Sequence, residues 1–81
     1  MKKALLGQVR YCCRQVDDIT RTEVKNYKQL VWLYGYAQLC LGQIDAYMYV
    51  LALHGLDCTQ LIDSREELLD KIRQLEDELY G

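Results

Sequence analysis

The residues able to do chemistry are few. The only histidine, His54, stands four positions before Cys58, and Cys12, Cys13 and Cys40 are the remaining thiols. Zinc sites carry paired ligands of the C-x-x-C kind, and none is present here. Cys12 and Cys40 fall instead in an apolar register, where a free cysteine acts as a small hydrophobe. Nucleophilic catalysis needs a Cys, Ser or Thr beside a base, yet the sole histidine closes a helix, where it serves the last carbonyls. The carboxylate pairs Asp17-Asp18 and Glu66-Glu67 belong to exposed faces, with no desolvation to move their pKa values into a useful range. Gly35 and Gly42 lie inside a helical pattern and form no phosphate-cradling loop. The expectation is a protein with no catalytic residue, no cofactor and no metal.

What must position these residues is a chain of 81 residues, 51% of them hydrophobic. That length supports one small domain. A monomer of this size hides only about 60% of its unfolded surface, so so apolar a composition argues for self-association. The start Met1-Lys2-Lys3 is followed by only Ala4, Leu5 and Leu6 before Gly7 and Gln8, too short a run for an export signal. Cys12 and Cys13 are adjacent, and the chain lacks the loops of a disulfide-stapled fold. A reduced, cytoplasmic protein is therefore expected.

With no proline, and glycine only at 7, 35, 42, 55 and 81, little interrupts a helical pattern. Leu5, Val9, Cys12, Val16 and Ile19 recur at spacings of four and three and form one stripe. On the other side, Lys3, Arg10, Arg14, Arg21, Lys25 and Lys28 share one sector if the helix continues through Thr20. Thr20-Arg21-Thr22-Glu23 has capping-box form and is the competing signal for a break; continuity or a mere kink is the favoured expectation. From Leu30 to Leu53 apolar residues surround the helix on every side, as in a central helix. His54-Gly55-Leu56 ends it, with glycine able to take the left-handed conformation.

Asp57-Cys58-Thr59-Gln60 caps a short turn, and Ser64-Arg65-Glu66-Glu67 is a capping box. Leu61, Leu68, Ile72, Leu75 and Leu79 then form a coiled-coil-like seam. The expected fold is all-α: a long or kinked helix over 3–53, a turn at 54–63, and a helix over 65–80 folding back antiparallel. If Thr20 breaks the chain, the same elements make a three-helix bundle. Either form is a small helical bundle completed by oligomerisation.

Tyrosine and tryptophan suit interfaces, giving large contact area and a polar tip. Trp32, Gly35, Tyr36, Leu39, Gly42, Ala46, Tyr49 and Leu53 are the candidate oligomer interface, with Gly35, Gly42 and Ala46 letting another helix approach closely. Charge is segregated. Residues 1–28 carry seven bases against three acids, 29–56 only Asp45, and 57–81 eight acids against three bases. The basic stripe from Lys3 to Lys28 runs about 37 Å if the helix is unbroken, and its Arg10, Arg14, Arg21, Lys25 and Lys28 form a basic face for phosphates. Asp63, Glu66, Glu67, Asp70, Asp77 and Glu78 form an acidic face for a partner, which could also mimic a phosphate backbone. DNA binding is opposed by that acidity and by the lack of any DNA-binding motif. A membrane span over 30–53 is opposed by Gln38, Gln43 and Asp45, and by aromatics spread along the segment rather than gathered at its ends.

The reading that follows is a non-enzymatic helical protein-interaction module. It self-associates as a homodimer or higher oligomer and acts as regulator, adaptor or inhibitor of another macromolecule. Its size fits an accessory protein of a bacterium or phage. A nucleic-acid-associated protein and a small membrane-associated helical protein are the alternatives.

Overall fold

A computed structural model describes residues 2–81, which leaves Met1, the first residue of the export-signal argument, outside the described residues. The chain folds as three helices: α1 (Lys2–Arg21), α2 (Tyr27–Leu53) and α3 (Thr59–Tyr80), with no strand among the described residues. Each helix contributes one apolar face to a shared core. Val9, Cys12, Val16 and Ile19 come from α1, and Leu61, Leu68, Ile72 and Leu75 from α3. Between them lie Leu30, Leu33, Ala37, Cys40, Ile44 and Leu51 of α2. Leu5 and Leu79, at the ends of their stripes, are half-buried against this cluster.

Hydrogen bonds across the helices fix their directions. Gln15 Nε2 donates to the Tyr36 hydroxyl at 2.9 Å and the Tyr47 hydroxyl to Gln8 Oε1 at 2.9 Å, so α1 and α2 run antiparallel. Arg65 Nε donates to Asp45 Oδ1 at 2.8 Å and the Tyr34 hydroxyl to Glu76 Oε2 at 3.3 Å, so α3 is antiparallel to α2. At one end Lys71 Nζ donates to the Thr22 carbonyl at 3.2 Å and ties α3 to the end of α1.

The single helix expected over 3–53 is not formed; the chain leaves helix after Arg21 and re-enters it at Tyr27. The Thr20 capping box does not make this break. Thr20 Oγ1 donates to the Asp17 carbonyl at 2.8 Å and Thr22 Oγ1 to the Asp18 carbonyl at 2.6 Å, so both hydroxyls close α1 rather than open α2. The cap of α2 is Asn26, in extended conformation, whose side chain accepts from the Gln29 amide at 2.8 Å. Gln29 Oε1 reaches back to accept from the Lys25 amide at 2.8 Å. The pair satisfies two amide groups at the turn, as a capping box does. Asn26 and Glu23, which would have formed a polar layer inside an unbroken helix, instead sit exposed in the turn. Tertiary burial favours the fold-back, because a straight rod could not lay the α1 stripe against the apolar face of α2 from the same chain.

The end of α2 follows the sequence pattern. Gly55 has φ +66, its amide donates to the Ala52 carbonyl at 3.1 Å, and the Leu56 amide donates to the Leu51 carbonyl at 2.9 Å. This pair of bonds is the Schellman arrangement. The beginning of α3 departs from expectation, since it starts at Thr59 rather than 65 and Ser64 lies inside it. Asp57 Oδ1 accepts from the Thr59 amide at 3.1 Å and from its hydroxyl at 2.6 Å, and these bonds hold the Asp57 carboxyl below the usual carboxylate range. The early start is what places Leu61 in the core, where it is fully buried.

Candidate interaction face on the central helix

Only one side of α2 is used by α1 and α3. Its outer side carries Trp32, Leu39, Tyr49 and Leu53, which are 62%, 72%, 68% and 69% exposed, with Val31 at 46%. Gly35, Gly42 and Ala46 lie among them, all exposed. Seven of these residues, 32, 35, 39, 42, 46, 49 and 53, follow one another at alternating steps of three and four. That spacing keeps them near one line along the helix and is the spacing found in coiled-coil seams. None of the seven is charged, and at 1.5 Å per residue the line runs about 32 Å. Apart from the neighbouring residues and backbone of the helix itself, no heavy atom lies within 4 Å of the position a Cβ would take on Gly35 or Gly42. Each mid-helix glycine costs about 0.8–1 kcal/mol relative to alanine. Nothing inside the protomer requires that cost.

Tyr36 was expected on this face and is not at its centre. It is half-buried at the α1 edge, where its hydroxyl meets Gln15 and its ring stacks on Trp32 at 5.3 Å between centroids and 16° between planes. Desolvation raises the Tyr36 pKa, with Cys40 and Tyr11 adding to the rise. Sequence reasoning also missed Val31, beside Trp32, and the place of Lys28. Lys28 extends the same three-and-four spacing one step toward the start of α2, a register that could have revealed it.

The charged faces fare differently. The unbroken basic stripe is not formed, because it required a continuous helix. Arg10, Arg14 and Arg21 are exposed on α1, Lys25 lies in the turn and Lys28 on the first turn of α2. Arg21 pairs with Asp17 at 3.2 Å, and Arg10 and Arg14 share a shallow depression with Asp17, Gln60, Ser64 and Glu67. Its acidic and basic sides therefore partly offset one another. On α3, Asp63, Glu66, Glu67, Asp70, Asp77 and Glu78 are all exposed, and Asp70 pairs with Arg73 at 3.2 Å. Such exposed pairs contribute about 0–1 kcal/mol.

The thiols are placed as packing groups. Cys12 and Cys40 are buried in the α1–α2 interface. Desolvation, with Cys40 and Cys13 nearby, pushes the Cys12 pKa up to about 11, which disfavours the reactive thiolate. The Cys58 thiol faces the carbonyls of Met48 at 3.8 Å and Leu56 at 3.7 Å, while His54 is exposed at the end of α2. Among the described residues no group of three or more His, Cys, Asp or Glu side chains is placed to hold a metal ion. No helix among them is long and apolar enough to cross a membrane. No protein-family model, curated protein or solved structure matches the chain.

Proposed function

We propose that this protein is a non-enzymatic helical interaction module that self-associates through the outer face of α2 and leaves α1 and α3 outward for another macromolecule. The observation that carries the reading is the uncharged seam from Trp32 to Leu53. At the exposures given, Val31, Trp32, Leu39, Tyr49 and Leu53 present roughly 600 Å² of accessible surface, with aromatic side chains counted near 200 Å² each. That is the upper edge of the largest apolar patches on ordinary monomers, about 300–600 Å², which are themselves often functional. Covering it supplies what composition asks for, namely a place for apolar side chains that one short chain cannot hide.

The interaction reading draws further support from the exposed carboxylates of α3, which suit a basic or polar partner. A nucleic-acid role is the weaker alternative, since the bases that would track phosphates are split among α1, the turn and α2. Light scattering coupled to size-exclusion chromatography tests self-association: a mass of twice the 9.5 kDa chain is expected at micromolar concentration. A monomer mass there overturns the proposal. Replacing Leu39 by Glu should return the monomer with its helical circular dichroism intact, because Leu39 is exposed in the protomer.

A further inference from the structure

We infer that the occupant of the α2 face is a second copy of this chain lying antiparallel, its two-fold axis passing beside Gly42. The inference rests on the self-association just proposed and adds the register. Two such faces, if covered completely, would hide roughly 1,200 Å², the lower edge of specific interfaces, before any contribution from α1 or α3. The seam therefore has the area to bind its own copy.

The order of side chains along the seam selects the direction. Under an antiparallel two-fold at Gly42, Gly35 faces Tyr49 of the second copy, Leu39 faces Ala46, and Trp32 faces Leu53. Small residues then meet large ones on both sides of the centre. Gly42 meets its own counterpart at the point where the two helices come closest. The large Trp32 and Leu53 layers fall at the ends, where helices crossing at an angle diverge. A parallel arrangement would instead stack Gly35 on Gly35, Ala46 on Ala46 and Trp32 on Trp32. Empty layers would alternate with overfilled ones, and close packing tolerates neither.

Charge selects the same direction. Lys28 is the next seam position before Trp32, and the antiparallel register sets it just past Leu53 of the second copy, at the turn 54–58 that ends the other α2. The carbonyl end of the other α2, and Asp57 exposed in that turn, are both favourable to an ammonium group. In the parallel arrangement the two Lys28 side chains would face each other instead. Glycine at 35 and 42, unexplained within the protomer, is what this packing requires: one pocket for Tyr49 and one point of close approach.

Two experiments on the full chain test this. A zero-length carbodiimide reagent, applied to a mixture of isotopically light and heavy wild-type protein, should give a light-heavy peptide pair joining Lys28 to Asp57. Within one chain those residues stand at opposite ends of a helix about 40 Å long, beyond the reach of such a link. In the second experiment, Gly35→Tyr and Tyr49→Gly should each raise the dimer Kd at least about tenfold, and the double variant should return to within about threefold of wild type, since facing layers couple. A wild-type monomer overturns both the proposed function and this register. A dimer that yields Lys28–Lys28 pairs with an amine-specific reagent and none between Lys28 and Asp57 overturns the register alone. So does a double variant whose effects add.

Discussion

Gly42→Leu separates the protomer from its association, because the two respond with opposite signs. In the protomer Gly42 is exposed, and no heavy atom beyond its own stretch of helix lies within 4 Å of its Cβ position. Leucine is nearly as good a helix former as alanine, so the substitution should stabilise α2 by about 0.6–1 kcal/mol. For a domain of this size, 1 kcal/mol moves Tm by about 4–8 °C, which gives an expected rise of about 3–8 °C. In the dimer the same side chain stands at the closest approach of two helices, where overpacking costs about 1–3 kcal/mol for each inserted group. Thermal unfolding followed by circular dichroism at the lowest workable concentration reads the first effect, and sedimentation equilibrium reads the second. The expected result is a more stable chain that no longer dimerises. A lower Tm under dilute conditions would show that α2 is not open at Gly42. A dimer of undiminished affinity would show that Gly42 is not at the interface.

The remaining predictions concern the devices that hold the fold. Asn26→Ala removes the side-chain acceptor for the Gln29 amide and should cost about 1 kcal/mol, seen as a lower urea midpoint and faster hydrogen exchange at Gln29. Gly55→Ala places a Cβ at φ +66 and should cost about 1–2 kcal/mol, whereas Gly7→Ala, in open helix, should be neutral or stabilising. Cys12 gives a pH dependence of definite sign. Its pKa rises from 9.0 in the unfolded chain to about 11 in the fold, so between those values only the unfolded chain has released the proton. Stability is then fully present below pH 9.0 and falls as pH rises toward about 11; Cys12→Ala should flatten this part of a urea-midpoint profile.

Much of the fold was legible in local spacing. The stripes Val9–Ile19 and Leu61–Leu75 were readable because three-and-four periodicity alone dictates which side of a helix must leave water. The stop at Gly55 was readable because a left-handed residue is needed there and glycine supplies it. The break between α1 and α2 was not, since Thr20-x-x-Glu23 and Asn26-x-x-Gln29 both have capping form and only burial chooses between them. The start of α3 was missed for a related reason: Asp57 makes a weaker signal than the Ser64 capping box, but only the earlier start carries Leu61 into the core.

By itself, the sequence determined that the chain is helical, that its middle is apolar on every side, and that its charges gather at the two ends. Periodicity and composition suffice for these, because they depend on neighbours a few residues apart. The strip of Gly35, Gly42 and Ala46 with Trp32, Leu39, Tyr49 and Leu53 was already marked by side-chain size and type; that this side is the one left in water, with Tyr36 drawn to the α1 edge, was decided only by tertiary structure. On a helix apolar all round, no hydrophobic stripe marks the inward side. The fold-back at Asn26 and the return of α3 chose the face of Leu33, Ala37 and Ile44, and left the seam of Trp32, Leu39, Tyr49 and Leu53 to water.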